Sequence, residues 1–321
     1  MSRSKPDRQS RFVGSLLGTA FGDILGAAVE GMSFSAVAES FGTVRDFLDT
    51  GRGLGRYTDD TQMTFALATS MVRCAGVDDA DCARAYAEYL EPWRGYGRSA
   101  IRIVEALREG ADYRQTATMF FPSGSFGNGA AMRIAPVGLA YAGAPVSTVR
   151  EKVFAAIRCT HVHPEAVDGA VVQALAVGHL SLAQQGMLPD GPEFVSSLRA
   201  ACEDPRMIEG LQCVEVLLRR GSDDEEAIAR LKTGVRSAES VPAALWAALR
   251  YGDDPQEAII RAVNLGGDTD TIGAMCGALV GALHGDGWFP ARWYDKMENG
   301  RHGRDALIDL AVRLARLGID A

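Results

Sequence analysis

Two acidic, hydroxyl-bearing stretches lie far apart in this chain, Tyr57-Thr58-Asp59-Asp60-Thr61 and Gly266-Gly267-Asp268-Thr269-Asp270-Thr271. Each stands immediately before an apolar run of helical spacing. Carboxylates gathered in one pocket repel one another and stay poorly ionised unless cations neutralise them. A ligand set made only of oxygen favours magnesium, manganese or calcium over zinc. Together the stretches point to a two-part cage for divalent cations, and hence to a metal-dependent active site. Either one alone also reads as a helix N-cap, where Thr and Asp are preferred. Recurrence favours ligation: a cap needs one short polar side chain, whereas each stretch devotes three or four adjacent positions to oxygen donors.

A third acid, Glu30, ends the run Gly22-Asp23-Ile24-Leu25-Gly26-Ala27-Ala28-Val29-Glu30-Gly31. It reads either as an exposed loop acid or as a carboxylate reaching into a cleft, where it would act as general acid/base or stabilise a developing cation. Asp23 reads as structural, capping or bracing the turn. Gly124-Ser125-Phe126-Gly127-Asn128-Gly129 leads into Ala130-Ala131-Met132-Arg133-Ile134-Ala135-Pro136. Flexible amides meeting the positive end of a helix suit a phosphate or diphosphate. The segment is neither a Walker loop nor a dinucleotide fingerprint, and a plain glycine turn fits it too. Cys159-Thr160-His161-Val162-His163-Pro164 sets two histidines at a helix junction without the further ligands zinc needs, so His161 reads as a hydrogen-bonding or ligand-orienting residue.

These residues need elements to position them. From Phe12 onward apolar residues recur in pairs, Phe12/Val13, Leu16/Leu17, Ala20/Phe21 and Ile24/Leu25, the spacing of a helix with one broad buried face. Similar patterns predict helices over 60–75, 78–90, 98–108, 129–141, 147–158, 164–185, 193–202, 223–232, 242–249, 255–263, 270–283 and 304–317, with no run of strands. Gly273, Gly277, Gly281 and Gly285 form one stripe on a helix, which marks it as central and closely packed.

Composition narrows the function classes. The chain has 321 residues, 47% hydrophobic, enough for a substantial core. Lys+Arg 33 against Asp+Glu 41 gives a net charge of -8, with no long-range attraction for nucleic acid or anionic lipid. Six cysteines without a Cys-x-x-Cys pair read as small core residues in a reducing compartment. No window approaches the ~20 apolar residues of a membrane span. The expectation is a cytoplasmic protein with a disordered tail over 1–10 and one compact all-α domain over 11–321.

Five ordered blocks carry a resemblance: Gly22-Asp23 through Glu30, Thr58 to Thr61, Gly127 to Arg133, Thr160-His161, and Gly266 to Gly273. The sequence resembles the ADP-ribosylglycohydrolase family from about Phe12 to Leu317. That resemblance implies a compact orthogonal helical bundle with two divalent cations, magnesium first and manganese second, and hydrolysis of the bond joining the terminal ribose of ADP-ribose to an acceptor. It makes Thr58, Asp59, Asp60, Asp268, Asp270 and Thr271 the metal ligands, with Asp270 as the bridge. It puts Glu30 beside the metals as the catalytic acid, together with Asp59 and Asp60. Gly124, Ser125, Phe126, Gly127 and Asn128 match the loop that holds the diphosphate and nearby ribose, and His161 a histidine close to it. The implied partners are an ADP-ribosylated protein or small molecule and ADP-ribose itself, bound by a monomer.

Two positions depart from relatives. Phe126 stands where some have tyrosine, and Arg94 follows Trp93 where the nitrogen-fixation relatives place an acid. The block Glu239-Ser240-Val241-Pro242-Ala243-Ala244-Leu245 is expected to line the cleft. A catalytically silent ADP-ribose-binding module of the same fold is the alternative, though the acids are intact. A prenyl-diphosphate enzyme is disfavoured, because Asp59-Asp60-Thr61-Gln62-Met63 lacks the second acid of an Asp-Asp-x-x-Asp box.

Overall fold

The computed structural model describes residues 6–318, which contain sixteen α-helices. The first five are α1 (Arg8–Gly26), α2 (Phe34–Phe41), α3 (Asp59–Cys74), α4 (Asp79–Tyr89) and α5 (Arg98–Arg108). A long loop then leads to α6 (Ala135–Ala140), α7 (Val146–Ile157), α8 (Pro164–Leu182), α9 (Gly191–Arg199), α10 (Pro205–Arg220) and α11 (Asp224–Leu231). The rest are α12 (Ser237–Tyr251), α13 (Pro255–Val263), α14 (Thr269–His284), α15 (Ala291–Tyr294) and α16 (Arg304–Ala315). The fold is all-α, as expected, and one isolated bridge between Gly127 and Arg236 is the sole β-type pairing among the described residues.

Two helices organise the centre. α14 is buried from Thr269 to Leu283, and its glycine stripe meets a matching one on α1 made by Gly14, Gly18, Gly22 and Gly26. The helices run antiparallel, with Gly14 against Gly281, Gly18 against Gly277 and Gly22 against Gly273. A Cβ on Gly273 would lie 2.6 Å from the carbonyl oxygen of Gly22. Each helical glycine costs about 1 kcal/mol relative to alanine. Backbone contact along four turns offsets that loss, because no other residue lets two helices approach so closely. At the far end of the pair, the buried Arg11 donates to the carbonyls of Leu180, Ala183, Ala282 and Leu283, satisfying orphan acceptors where α8 and α14 end.

Several boundaries differ from the pattern-based expectation. α1 starts at Arg8, capped by Asp7, so residues 8–10 of the expected tail are helical; residues 1–5 lie outside the described part. The single helix expected over 129–141 is a 3-10 turn, Asn128–Ala130, followed by α6 with Pro136 in its first turn. A proline lacks the amide a continuous helix would use, so the helix restarts there. α12 begins five residues before Pro242 and carries that proline inside. α10, a four-turn helix, went unpredicted, as did α2 and α15.

Candidate active site

The glycine-lined pair sets one end of α1 beside the start of α14. The loop after α1 is then tied to the loop before α14 by two backbone hydrogen bonds, Gly31 N to Gly267 O and Gly267 N to Met32 O, both 2.7 Å. Gly266 and Gly267 have φ of +78° and +80°, and a Cβ on Gly266 would sit 2.5 Å from the amide nitrogen of Phe34. Only glycine fits there. The outcome is that carboxylate oxygens of Glu30, Asp268 and Asp270 all lie within 4.8 Å of one another.

α3 is delivered to the same spot by Asp23. Both oxygens of this fully buried side chain accept from the Thr58 amide at 3.0 Å, and Oδ2 also accepts from the amide of Thr61 at 3.0 Å and its hydroxyl at 2.5 Å. The start of α3 is thus capped from α1, and Thr58 makes no side-chain cap bond. Asp268 at the start of α14 makes none either. Neither N-cap residue therefore caps its helix, and in the second stretch Asp270 Oδ1 accepts the Thr271 amide at 2.9 Å. Thr58 donates to Asp60 Oδ2 at 3.2 Å, while Asp60 Oδ1 is buried without a hydrogen-bond partner.

Charge crowding follows. Burial first, then the charges of Asp23, Glu30 and Asp268, raise Asp59 to about 8. Burial raises Asp60 well above the usual range, with Asp23, Asp59 and Asp268 adding to it. Asp270 is raised likewise by burial and by Asp60, Asp268 and Glu30. Glu30, exposed at the rim, is raised by desolvation and by Asp268, against the opposing pull of Arg52. Six acids crowd this space, with Asp23 raised to about 6 by burial. An all-oxygen set with a partnerless buried oxygen fits divalent cations. Glu30, Asp268 and Asp270 form a group that could hold one, and Asp59 and Asp60 line the same cavity beside them.

These acids form one wall of a cavity of about 400 Å³. The facing wall carries Ser125, Gly127, Asn128 and His161. Asn128 crosses between the walls, donating from Nδ2 to Asp268 Oδ2 at 2.6 Å and to Ser240 Oγ at 3.0 Å. Its amide donates to Val235 O at 3.0 Å, and the amide of Asp268 donates to Thr233 O at 2.7 Å, so one short segment braces both walls. Burial and the Arg133 charge push His161 down to about 3, leaving it neutral.

Most of the residues singled out from sequence converge here, with exceptions. Thr58 is buried behind Asp60 rather than lining the cavity, while Thr271 lines it. Gly124 and Phe126 do not line it. Gly124, with φ +82°, packs against the backbone of His163, and Phe126 lies under the Arg236 guanidinium, 3.9 Å from ring centroid to Cζ. The block 239–245 does not line it either; Ser240 acts through Asn128. Arg94 is buried in a structural role, bonded to Glu298 at 2.8 Å and to the Tyr57 carbonyl at 2.8 Å. Sequence reasoning missed Gly95, Gly97, Arg98, Phe121 and Arg133 on the cavity wall, although the glycine pair before a helix start was a readable signal.

Fold and cleft define an all-α enzyme built around an oxygen-lined acidic centre. A family profile described as ADP-ribosylglycohydrolase matches residues 4–320, taking in both acidic stretches and the loop facing them. The chain belongs to that family and is a glycohydrolase acting on ADP-ribosyl groups. It is 34% identical to ADP-ribosylhydrolase ARH3 of Danio rerio, over 95% of this chain and 90% of that protein. It is 29% identical to the ADP-ribosyl-[dinitrogen reductase] glycohydrolase of Rhodospirillum rubrum, over 95% and 98%. A solved structure titled ADP-ribosylglycohydrolase-related protein complex superposes with a TM-score of 0.74 at 29% identity, covering 97% of this chain and 99% of that one. No helix among the described residues is long and apolar enough to cross a membrane.

Proposed function

We propose that the protein is a metal-dependent hydrolase that frees ADP-ribose from an ADP-ribosylated side chain or small molecule by cleaving the glycosidic bond at the anomeric carbon of the terminal ribose. One observation supports this most: buried acids from α3 and α14 meet, with Glu30 within reach of Asp268 and Asp270, in a cleft whose opposite wall is a glycine loop. Divalent cations, magnesium by preference, would neutralise these acids and orient the ribose hydroxyls.

The chain's own residues divide the remaining tasks. Departure of the acceptor builds positive charge on the ribose, and the carboxylates of the acidic wall stabilise it more than they stabilise bound substrate. Glu30, half free of the buried cluster and raised in pKa, can exchange a proton with the departing acceptor or the incoming water. The side-chain oxygen of Asn128 and the neutral His161 offer hydrogen bonds to the rest of ADP-ribose without adding charge. We place the reaction in the cytoplasm, in a single-domain protein acting as a monomer.

The test pairs calorimetry of ADP-ribose binding with release of labelled ADP-ribose from arginine, serine, threonine and small-molecule acceptors in magnesium. Release from at least one acceptor is expected. Tight binding with no release from any would favour a silent binding module.

A further inference from the structure

We propose that Arg133 and Thr160 are positioning residues that hold His161 as the neutral tautomer protonated on Nε2, so that this nitrogen donates a hydrogen bond into the cleft. The inference rests on the reading of that cleft as the ADP-ribose site, since the bond would go to an oxygen of that ligand.

The assignment comes from counting protons and lone pairs. The Thr160 hydroxyl has one proton to donate and two lone pairs. Arg133, 1% exposed and stacked on Tyr86 with Cζ 4.5 Å from the ring centroid, occupies one lone pair by donating from Nη2 at 2.5 Å. The hydroxyl proton then has two destinations, His161 Nδ1 at 2.8 Å and the carbonyl of Ile157 at 3.1 Å. That carbonyl already accepts the amides of both Thr160 and His161, each at 2.9 Å, so both its lone pairs are in use. With that carbonyl doubly engaged and 3.1 Å away, the closer Nδ1 at 2.8 Å takes the hydroxyl proton in preference to donating to the hydroxyl's second lone pair, which makes Nδ1 an acceptor and leaves the ring hydrogen on Nε2.

Space around Nε2 is kept by glycine. A Cβ on Gly129 would stand 3.3 Å from Nε2 and 3.0 Å from Cε1, and one on Gly127 would stand 4.0 Å from Nε2. His161 lines the cavity, so the open side of the ring faces the ligand space. Arg133 also donates to the Gly129 carbonyl, tying the same loop to the same guanidinium. Its charge and the ring's burial both disfavour an imidazolium.

The test is long-range proton–nitrogen spectroscopy of the intact, histidine-labelled protein, with His161→Gln used to assign the signal. The expected pattern for His161 is the neutral Nε2–H form. Thr160→Val removes the donor to Nδ1 and should mix the tautomers and weaken ADP-ribose binding about tenfold, whereas Thr160→Ser should preserve both. Arg133→Met should give the same mixed spectrum, and if it does not fold, Thr160→Val carries the test. An Nδ1–H or doubly protonated ring in the native protein, or a Thr160→Val protein with native spectrum and native ADP-ribose affinity, would overturn the proposal. The spectrum needs no substrate turnover, so it decides the tautomer separately from whether the protein hydrolyses any acceptor.

Discussion

Asp23 of α1 caps α3: its Oδ2 accepts both the amide and the hydroxyl of Thr61, at 3.0 and 2.5 Å. A helix is normally capped by its own preceding residue. Here the cap comes from elsewhere, and Asp59 and Asp60 are released to face the cleft. Replacing Asp23 with alanine removes the cap and strands buried amides, for an expected loss of about 2–4 kcal/mol in urea unfolding. A Thr58→Ala change, which breaks no cap, should cost about 1 kcal/mol or less. Equal losses for the two variants would contradict the assignment.

The glycine stripes fix the distance between Glu30 and Asp268. Gly18→Ala or Gly277→Ala drives a methyl into the backbone of the opposing helix, and should destabilise by about 1–3 kcal/mol or more while lowering turnover of the protein that remains folded. Gly287→Ala, where a Cβ would meet nothing within 4 Å, is the control and should leave thermal unfolding unchanged.

Arg94 supplies a case where position in the sequence misleads. Its guanidinium bonds to Glu298 and the Tyr57 carbonyl and lies 3.7 Å from the Tyr57 ring centroid, fixing the chain just before Asp59. Arg94→Ala leaves Glu298 with Arg56 and the Tyr57 amide as its remaining partners, which should cost about 1.5–3 kcal/mol. Activity per folded molecule should fall far less than for Glu30→Gln, for which a ~10²–10⁴-fold loss of kcat with little change in KM is expected.

The acids also set a pH dependence. Asp23 and Asp59 have folded values raised to about 6 and about 8, above the ordinary carboxylate value of about 4. For these two acids the folded state binds more protons than the unfolded one across that window, while His161, lowered to about 3, works the other way up to its ordinary value near 6.5, so stability of the chelated protein falls with pH from about 6.5 to about 8. Magnesium, binding the ionised acids, should raise the unfolding temperature more at pH 8 than at pH 5. A chelated protein whose unfolding temperature climbs over this range would refute the crowding described.

Much of this was legible in residue order. Apolar pairs located α1, α3, α5, α8 and α13 to within a few residues, because helices with one broad buried face advertise their period. α10 escaped notice although Met207, Leu211, Val214 and Leu217 keep the spacing, since Arg206, Glu209, Glu215, Arg219 and Arg220 dilute it. The stripe on α14 was read, but its partner on α1 has the same four-residue repeat and was passed over. Convergence of the acids was inferred from composition, whereas the cap from Asp23 and the Arg133–Thr160–His161 chain depend on contacts between distant segments. No local pattern encodes such contacts.

Release of labelled ADP-ribose before exhaustive chelation, after it, and after magnesium is returned tests the proposed metal dependence most directly. Loss on chelation and recovery with magnesium are predicted for the native protein, with no recovery for Asp60→Asn or Asp270→Asn. Undiminished hydrolysis by the chelated protein would contradict it.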